Sequence, residues 1–112
     1  MNKRLLLEGA FGVKYLPVSD IIFCQANDNW TCIYTIGQAK YEVCHTLKRI
    51  EERINSNDFF RSHRSYLVNL LYVKEIPRSY EFLLMHEEFI VRVSRRKRSH
   101  LKKKMKSYIT LV

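Results

Sequence analysis

A chain of 112 residues, 46% hydrophobic and 12% aromatic, is long enough to fold around a core and too short for two domains. No apolar run approaches the ~20 residues of a membrane span. The apolar run near the amino terminus, Leu5–Leu7, is interrupted by Glu8 before it reaches the length of a signal peptide. We therefore predict a single domain over residues 1–112, with its core over about 5–108, in the cytoplasm.

The net charge of +9 comes entirely from the last 22 residues. Through Ile90 there are 11 basic and 11 acidic residues, whereas nine basic residues and no acidic ones follow from Val91 onward. A neutral body with a terminus of one sign is typical of a protein with a polyanionic partner, because fixed cations displace condensed counterions. A solvated, disordered basic tail is the alternative.

Three cysteines, Cys24, Cys32 and Cys44, are odd in number and widely spaced, and none forms a C-x-x-C pair. Zinc sites have more closely paired ligands, so we predict reduced thiols and neither a metal site nor a cofactor.

Strand patterns dominate the first half of the chain. Val13–Leu16 follows a glycine and ends at a proline, and Ile21–Cys24 is a continuous apolar run, typical of a strand covered on both faces. Trp30–Ile36 is dense in aromatic and β-branched residues and is followed, after a Gly-containing turn, by the alternating segment Lys40–Cys44. These two segments predict a β-hairpin.

The apolar period then changes to that of a helix. Leu47, Ile50 and Ile54 recur at i, i+3 and i+7 between charged residues, with Thr46 as a candidate N-cap and the polar run Asn55–Asp58 to end the helix.

Short strands separated by turn-like residues follow, and a second helix pattern closes the chain. The predicted strands are Tyr66–Val68, Leu71–Val73, Tyr80–Met85 and Phe89–Val93. The last helix is predicted over Ser94–Tyr108, capped by Ser94, with Leu101, Met105 and Tyr108 packed on the core. A dimer contact is the alternative for this apolar stripe.

The segment FFRSHRSYLVN, residues 59–69, is the most specific run in the chain. Aromatic and aliphatic residues on its two sides predict anchors, and residues 61–65 between them predict a loop rich in hydrogen-bond donors. An arginine offers a planar fork that binds guanine or clamps phosphate, and Ser and His donate to phosphate oxygens.

This segment resembles the signature of the LytTR DNA-binding domain, found at the carboxyl terminus of many bacterial response regulators. The resemblance extends, in order, over roughly residues 5–108, through the runs DIIFCQA (20–26), NWT (29–31), TLKRIEE (46–52) and VSRRK (93–97). It implies a mostly β, elongated sandwich of short antiparallel sheets with one or two short helices. It also implies that loops enter successive grooves on one face of double-stranded DNA, at imperfect direct repeats.

Transferred position by position, the resemblance implies three contact segments. The candidate DNA-binding residues are Asn29, Trp30, Thr31, Arg61, His63, Arg64, Ser94, Arg95, Arg96, Lys97 and Arg98. We predict base contacts from Arg64 and Arg96, with phosphate contact alone as the alternative. Arg61, Arg95, Lys97 and Arg98 are predicted phosphate clamps. Base-contacting positions vary within the family, so Thr31 and Arg64 are expected to select their own sequence.

Other candidates have simpler interpretations. His63 has no carboxylate to orient it, so we predict a phosphate donor or a hydrogen bond within the loop. Trp30 is predicted to be partly buried against the sheet, with an exposed contact beside the sugar–phosphate backbone as the alternative. Asn69 is predicted to cap or turn the loop. Lys102, Lys103, Lys104 and Lys106 are expected to supply only long-range attraction, or no contact.

The sequence thus predicts a bacterial transcription regulator and not an enzyme, because it has no paired carboxylates, no Gly-rich phosphate loop and no activated nucleophile. The alternative is non-specific binding of nucleic acid or an anionic membrane through the basic end. A receiver domain would require about another domain's length, so an excised output domain and a small stand-alone regulator both stay open. A second copy on an adjacent repeat is a further open partner.

Overall fold

The computed structural model describes residues 3–112, and strands make up most of its regular structure. The strands are β1 (Arg4–Gly9), β2 (Gly12–Pro17), β3 (Ile21–Asn27), β4 (Trp30–Thr35), β5 (Ala39–Val43), β6 (Phe59–His63), β7 (Tyr66–Asn69), β8 (Val73–Glu75), β9 (Phe82–Met85) and β10 (Ile90–Arg92). The α-helices are α1 (Leu47–Ile54) and α2 (Arg98–Met105).

The strands form three antiparallel sheets. A five-stranded sheet, in the order β5-β4-β3-β7-β6, lies between the hairpin β1-β2 and a three-stranded sheet, β10-β9-β8. The molecule measures 45 × 30 × 24 Å. The predicted fold class, an elongated sandwich of short antiparallel sheets with two short helices, is confirmed.

The middle strand of the central sheet, β3, is buried on both faces over its first four residues. Ile21, Ile22, Phe23 and Cys24 of β3 are all at most 5% exposed, as the continuous apolar run predicts. Ile21 and Cys24 belong to the core beneath α1 and β1-β2, whereas Ile22 and Phe23 belong to the core beneath β8–β10 and α2. Each outer layer therefore packs on its own side of β3.

Helix α1 begins and ends as predicted. The Oγ1 of Thr46 accepts a hydrogen bond from the backbone N–H of Arg49 at 3.2 Å, which satisfies a free donor of the first turn. Leu47, Ile50 and Ile54 are buried, and Asn55 ends the helix in the left-handed region at φ 43°.

Strand β1 was not predicted from the sequence. Leu5 and Leu7 are buried, while Leu6 between them is exposed, so Leu5–Leu7 lies in one alternating strand. It pairs with β2 in register from Arg4 opposite Pro17 to Gly9 opposite Gly12.

The predicted strand Leu71–Val73 is wrong. Asn69 is 1% exposed; its Nδ2 donates to the carbonyl oxygen of Ile21, and its Oδ1 accepts from the N–H of Leu71. This second bond turns Leu70–Tyr72 into a 3₁₀ helix, and the strand β8 begins only at Val73. The prediction that Asn69 caps or turns the chain is confirmed.

The closing helix is shorter than predicted and is not capped by the side chain of Ser94. Residues 95–97 form a 3₁₀ turn before α2, and residues 106–108 form another after it. Leu101 is fully buried, and Met105 and Tyr108 pack against the same core, so the apolar stripe is core packing as predicted.

No helix in residues 3–112 is long and apolar enough to cross a membrane.

Candidate nucleic-acid interface

One end of the central sheet gathers three connections. Strands β3, β5 and β6 run in the same direction, so the residues that follow each of them emerge together. These are the turn Asp28–Asn29, residues 44–46 and the turn Arg64–Ser65. We call this the loop end of the sheet; it carries two of the three predicted contact segments.

The segment Arg61–Ser65 is mostly strand and not the predicted loop. β6 continues through His63, and only Arg64 and Ser65 form the turn. The exposed side chain of Arg64 makes no hydrogen bond or ion pair to any residue in 3–112, so its guanidinium is free for a ligand.

Arg61, in contrast, is occupied by the protein. Its Nε donates to the carbonyl oxygen of His63 at 3.2 Å, its Nη2 to that of Arg64 at 2.6 Å, and its Nη1 pairs with Glu51 Oε1 at 3.2 Å. The guanidinium of Arg61 therefore stabilises the turn that contains Arg64 and connects this turn to α1. This structural role was not predicted from the sequence.

His63 forms the hydrogen bond within the turn that was one of its two predicted roles. Its Nδ1 accepts from the backbone N–H of Ser65 at 3.0 Å. Partial burial and the positive charges of Arg64, Arg92 and Arg61 lower the pKa of His63. The neutral ring then carries its proton on Nε2, which remains a donor for an anion.

The second and third predicted segments lie side by side. The fully buried Ser62 donates through Oγ to the carbonyl oxygen of Arg92 at 2.9 Å, and its own carbonyl accepts from the N–H of Ser94 at 2.8 Å. Together the segments line a groove of about 680 Å³, the cationic groove, formed by Arg61, His63, Arg64, Ser94, Arg95, Arg96 and Lys97. Five of these residues are Arg or Lys and none is acidic.

Arg98 does not line the cationic groove. It begins α2 and is half-buried, and its Nε is buried without a hydrogen-bond partner among residues 3–112. The cationic groove therefore ends at Lys97, whose Nζ lies 5.8 Å from the ring centroid of Phe60.

The first predicted segment divides between surface and core. Asn29 is exposed in its turn, and Trp30 is 49% exposed, which agrees with the predicted partial burial and leaves the other half of its surface free for the alternative, a contact beside the backbone. Thr31 is fully buried and donates through Oγ1 to the carbonyl oxygen of His45 at 2.7 Å. Because successive strand residues point to opposite faces, a solvent-facing Trp30 places Thr31 inside, where its side chain is not exposed for the predicted contact.

A set of polar residues beside Asn29 was not predicted from the sequence. A depression of about 500 Å³ is lined by Asn29, Cys44, His45, Thr46, Lys48, Arg49 and Glu52. The sequence does show a short connection between a predicted strand and a capped helix. That this connection lies at the loop end follows only from the order of the strands in the sheet.

Replacing Thr31 with valine is expected to lower the free energy of unfolding by about 0.5–1.5 kcal/mol, because the hydrogen bond from the buried Thr31 hydroxyl to the carbonyl of His45 is lost. The DNA affinity of the folded protein should not change. The matched variant Asn29→Ala should have the opposite effect, with an unchanged free energy of unfolding and a lower affinity for DNA. Denaturant unfolding and a binding titration separate the two; a Thr31→Val variant of normal stability and weakened binding would support Thr31 as a contact.

Acidification is expected to destabilise the fold through His63. The unfolded chain takes up a proton near the ordinary histidine pKa of about 6.5, whereas the folded chain does so only at lower pH. This contribution to the free energy of unfolding is therefore complete above about pH 6.5 and is lost as the pH falls through the folded pKa. Between pH 8 and pH 5 the free energy of unfolding should decrease more for the wild type than for His63→Gln. An equal decrease in the two proteins would contradict the lowered pKa of His63.

The fold and the cationic groove together indicate a class of protein. An antiparallel β domain that presents a cationic groove with only one ion-paired arginine beside its strand turns has the features of a nucleic-acid-binding domain. The sequence profile of the LytTr DNA-binding domain matches residues 12–106. The chain belongs to this family, which comprises DNA-binding domains of transcription regulators and is not a class of enzymes.

Known proteins agree with this assignment. The sensory transduction protein LytT of Bacillus subtilis is 33% identical over 103 residues, which cover 89% of this chain and 42% of LytT. The transcriptional regulatory protein LytR of Staphylococcus aureus is 33% identical over 73 residues, 65% of this chain and 29% of LytR. The chain thus spans less than half the length of these relatives.

A solved structure has the same fold. The LytTr DNA-binding domain of a putative methyl-accepting/DNA response regulator from Bacillus cereus superposes with a TM-score of 0.79 at 23% identity. The match covers 94% of this chain and 98% of that one.

Proposed function

We propose that this chain binds double-stranded DNA sequence-specifically as the output domain of a bacterial response regulator. The cationic groove carries the proposal, since five basic residues converge there with no acidic residue and the protein itself does not neutralise them all. In this proposal Arg64 and Arg96 contact bases, and Arg95 and Lys97 clamp phosphates. Asn29 and Trp30 contact the duplex at the other side of the loop end.

The spacing of these segments suits successive grooves. Strands β4 and β6 are three inter-strand spacings apart in the sheet, about 14 Å. The residues 94–97 lie beyond β6. Half a turn of B-DNA, which separates neighbouring grooves on one face, is about 17 Å. One domain would thus contact two neighbouring grooves, and two copies side by side would occupy a direct repeat.

Selection of bound sequences from a random duplex pool, followed by competition near physiological salt, tests the proposal. The selected duplex should retain the protein in the presence of excess random DNA, and its preference should grow as salt rises, because phosphate contacts weaken with salt more than base contacts do. If affinity for the selected and random duplexes stays equal as salt rises, binding is non-specific. Scrambling one half of a selected repeat should reduce the bound copies from two to one.

A further inference from the structure

A second cationic cavity lies between β1 and α1, away from the cationic groove. This helix groove has a volume of about 360 Å³. Its walls carry Arg4 from β1 and Arg49 and Arg53 from α1, with His45 at one end. Leu5 and Ile50, both buried, belong to its base.

The arginines of the helix groove lack protein counter-ions. The ion pairs within residues 3–112 join Arg61 to Glu51, Lys74 to Glu88 and His86 to Glu87, and none includes Arg4, Arg49 or Arg53. Nor does any of the three donate a side-chain hydrogen bond within that range. No acidic residue lines the cavity. The guanidinium carbon of Arg4 lies 5.6 Å from the ring centroid of Tyr15, but no carboxylate neutralises any of the three guanidinium groups. Three like charges around one concavity favour an anion between them.

The helix groove is continuous with the loop end. His45 and Arg49 line both this groove and the depression that contains Asn29. Arg49 and Arg53 are one turn apart on the same face of α1, a rise of about 6 Å. Each strand of B-DNA carries one phosphate per 3.4 Å of axis, so this rise spans about two phosphates. A ligand of regularly spaced anions leaving the loop end would pass along α1.

We propose that the helix groove binds the sugar–phosphate backbone of the same duplex, at positions flanking those that the loop end contacts. The proposal rests on the proposed function and adds a second region of contact with the same DNA. The three arginines lie in the part of the chain that has no net charge, so the net charge of the sequence does not reveal them. These contacts carry no sequence information and supply affinity alone.

The triple variant Arg4→Gln, Arg49→Gln, Arg53→Gln tests it in a salt series on the selected and the random duplex. Each lost phosphate contact lowers the slope of log K against log salt by about 0.9, so the slope should fall by about 2–3 and affinity roughly 10- to 100-fold on both duplexes. The ratio of the two affinities should not change. The triple Lys variant should retain the slope, as should Lys40→Gln, near the start of β5 and away from the loop end.

Thermal unfolding verifies that each variant is folded. If the triple variant does not fold, the single variant Arg53→Gln replaces it in the salt series, with an expected decrease in slope of about 1. An unchanged slope in the folded variant overturns the inference. The two proposals fail separately. A wild type that prefers no sequence refutes sequence specificity, whereas a Gln variant with the wild-type slope refutes the helix groove.

Discussion

Replacing Arg64 with alanine is expected to weaken binding to the selected duplex by about 1–3 kcal/mol, roughly 5- to 150-fold, and to remove the preference at one base position. The reason is geometric. Arg64 lies at the tip of a two-residue turn, and its guanidinium makes no hydrogen bond or ion pair within residues 3–112, while the guanidinium of Arg61, three residues earlier, bonds to that turn and to α1. The backbone of the turn is thus fixed before DNA arrives, so only the side chain of Arg64 loses conformational entropy on binding.

Binding titrations on the selected duplex and on single-base variants of it measure this effect. Arg96→Ala should behave in the same way, at a different base position. Lys103→Ala, an exposed lysine on α2, is the matched control and should weaken all duplexes alike, if it has any effect. If Arg64→Ala loses the same affinity on random DNA, Arg64 is a phosphate clamp and not a base contact.

The sequence predicted most of the strands, α1 with its cap, and the residues that line the cationic groove. These features depend on local pattern: an apolar period, a threonine before a helix, a donor-rich run between anchors. The cationic groove itself is not local. It forms because Ser62, buried at the edge of the central sheet, bonds to the backbone on both sides of Val93. No spacing in the sequence indicates that bond.

The features of single residues that the sequence did not predict have a common cause. Whether Trp30 or Thr31 faces the solvent depends on the strand register, since a shift by one residue exchanges the two faces. Both residues suit a strand, and only the core beneath β4 decides between them. The internal bonds of Arg61 could not be predicted for a similar reason, because its partner Glu51 lies ten positions away on α1. A count of charges cannot distinguish an occupied guanidinium from a free one.

The largest effect on stability is expected from Leu101→Ala. Leu101 is fully buried in the core that α2 shares with Leu83, Val91 and Val93. Truncation of a buried leucine removes apolar burial and leaves a cavity, which costs about 2–5 kcal/mol. Domains of this size are stable by about 5–15 kcal/mol, so the variant should fold while losing a large share of its stability. Denaturant unfolding measures the loss.

The functional consequence follows from the position of α2. Arg95–Lys97 leads directly into this helix, so a loosened α2 no longer fixes those side chains against the turn at Arg64. Affinity for the selected duplex should then fall even where the folded fraction is near one. Leu111→Ala is the matched control, because Leu111 is 88% exposed and its loss should change the free energy of unfolding by less than about 0.5 kcal/mol. Wild-type stability in Leu101→Ala would mean that α2 does not pack on the sheet, and the cationic groove would then lack its support.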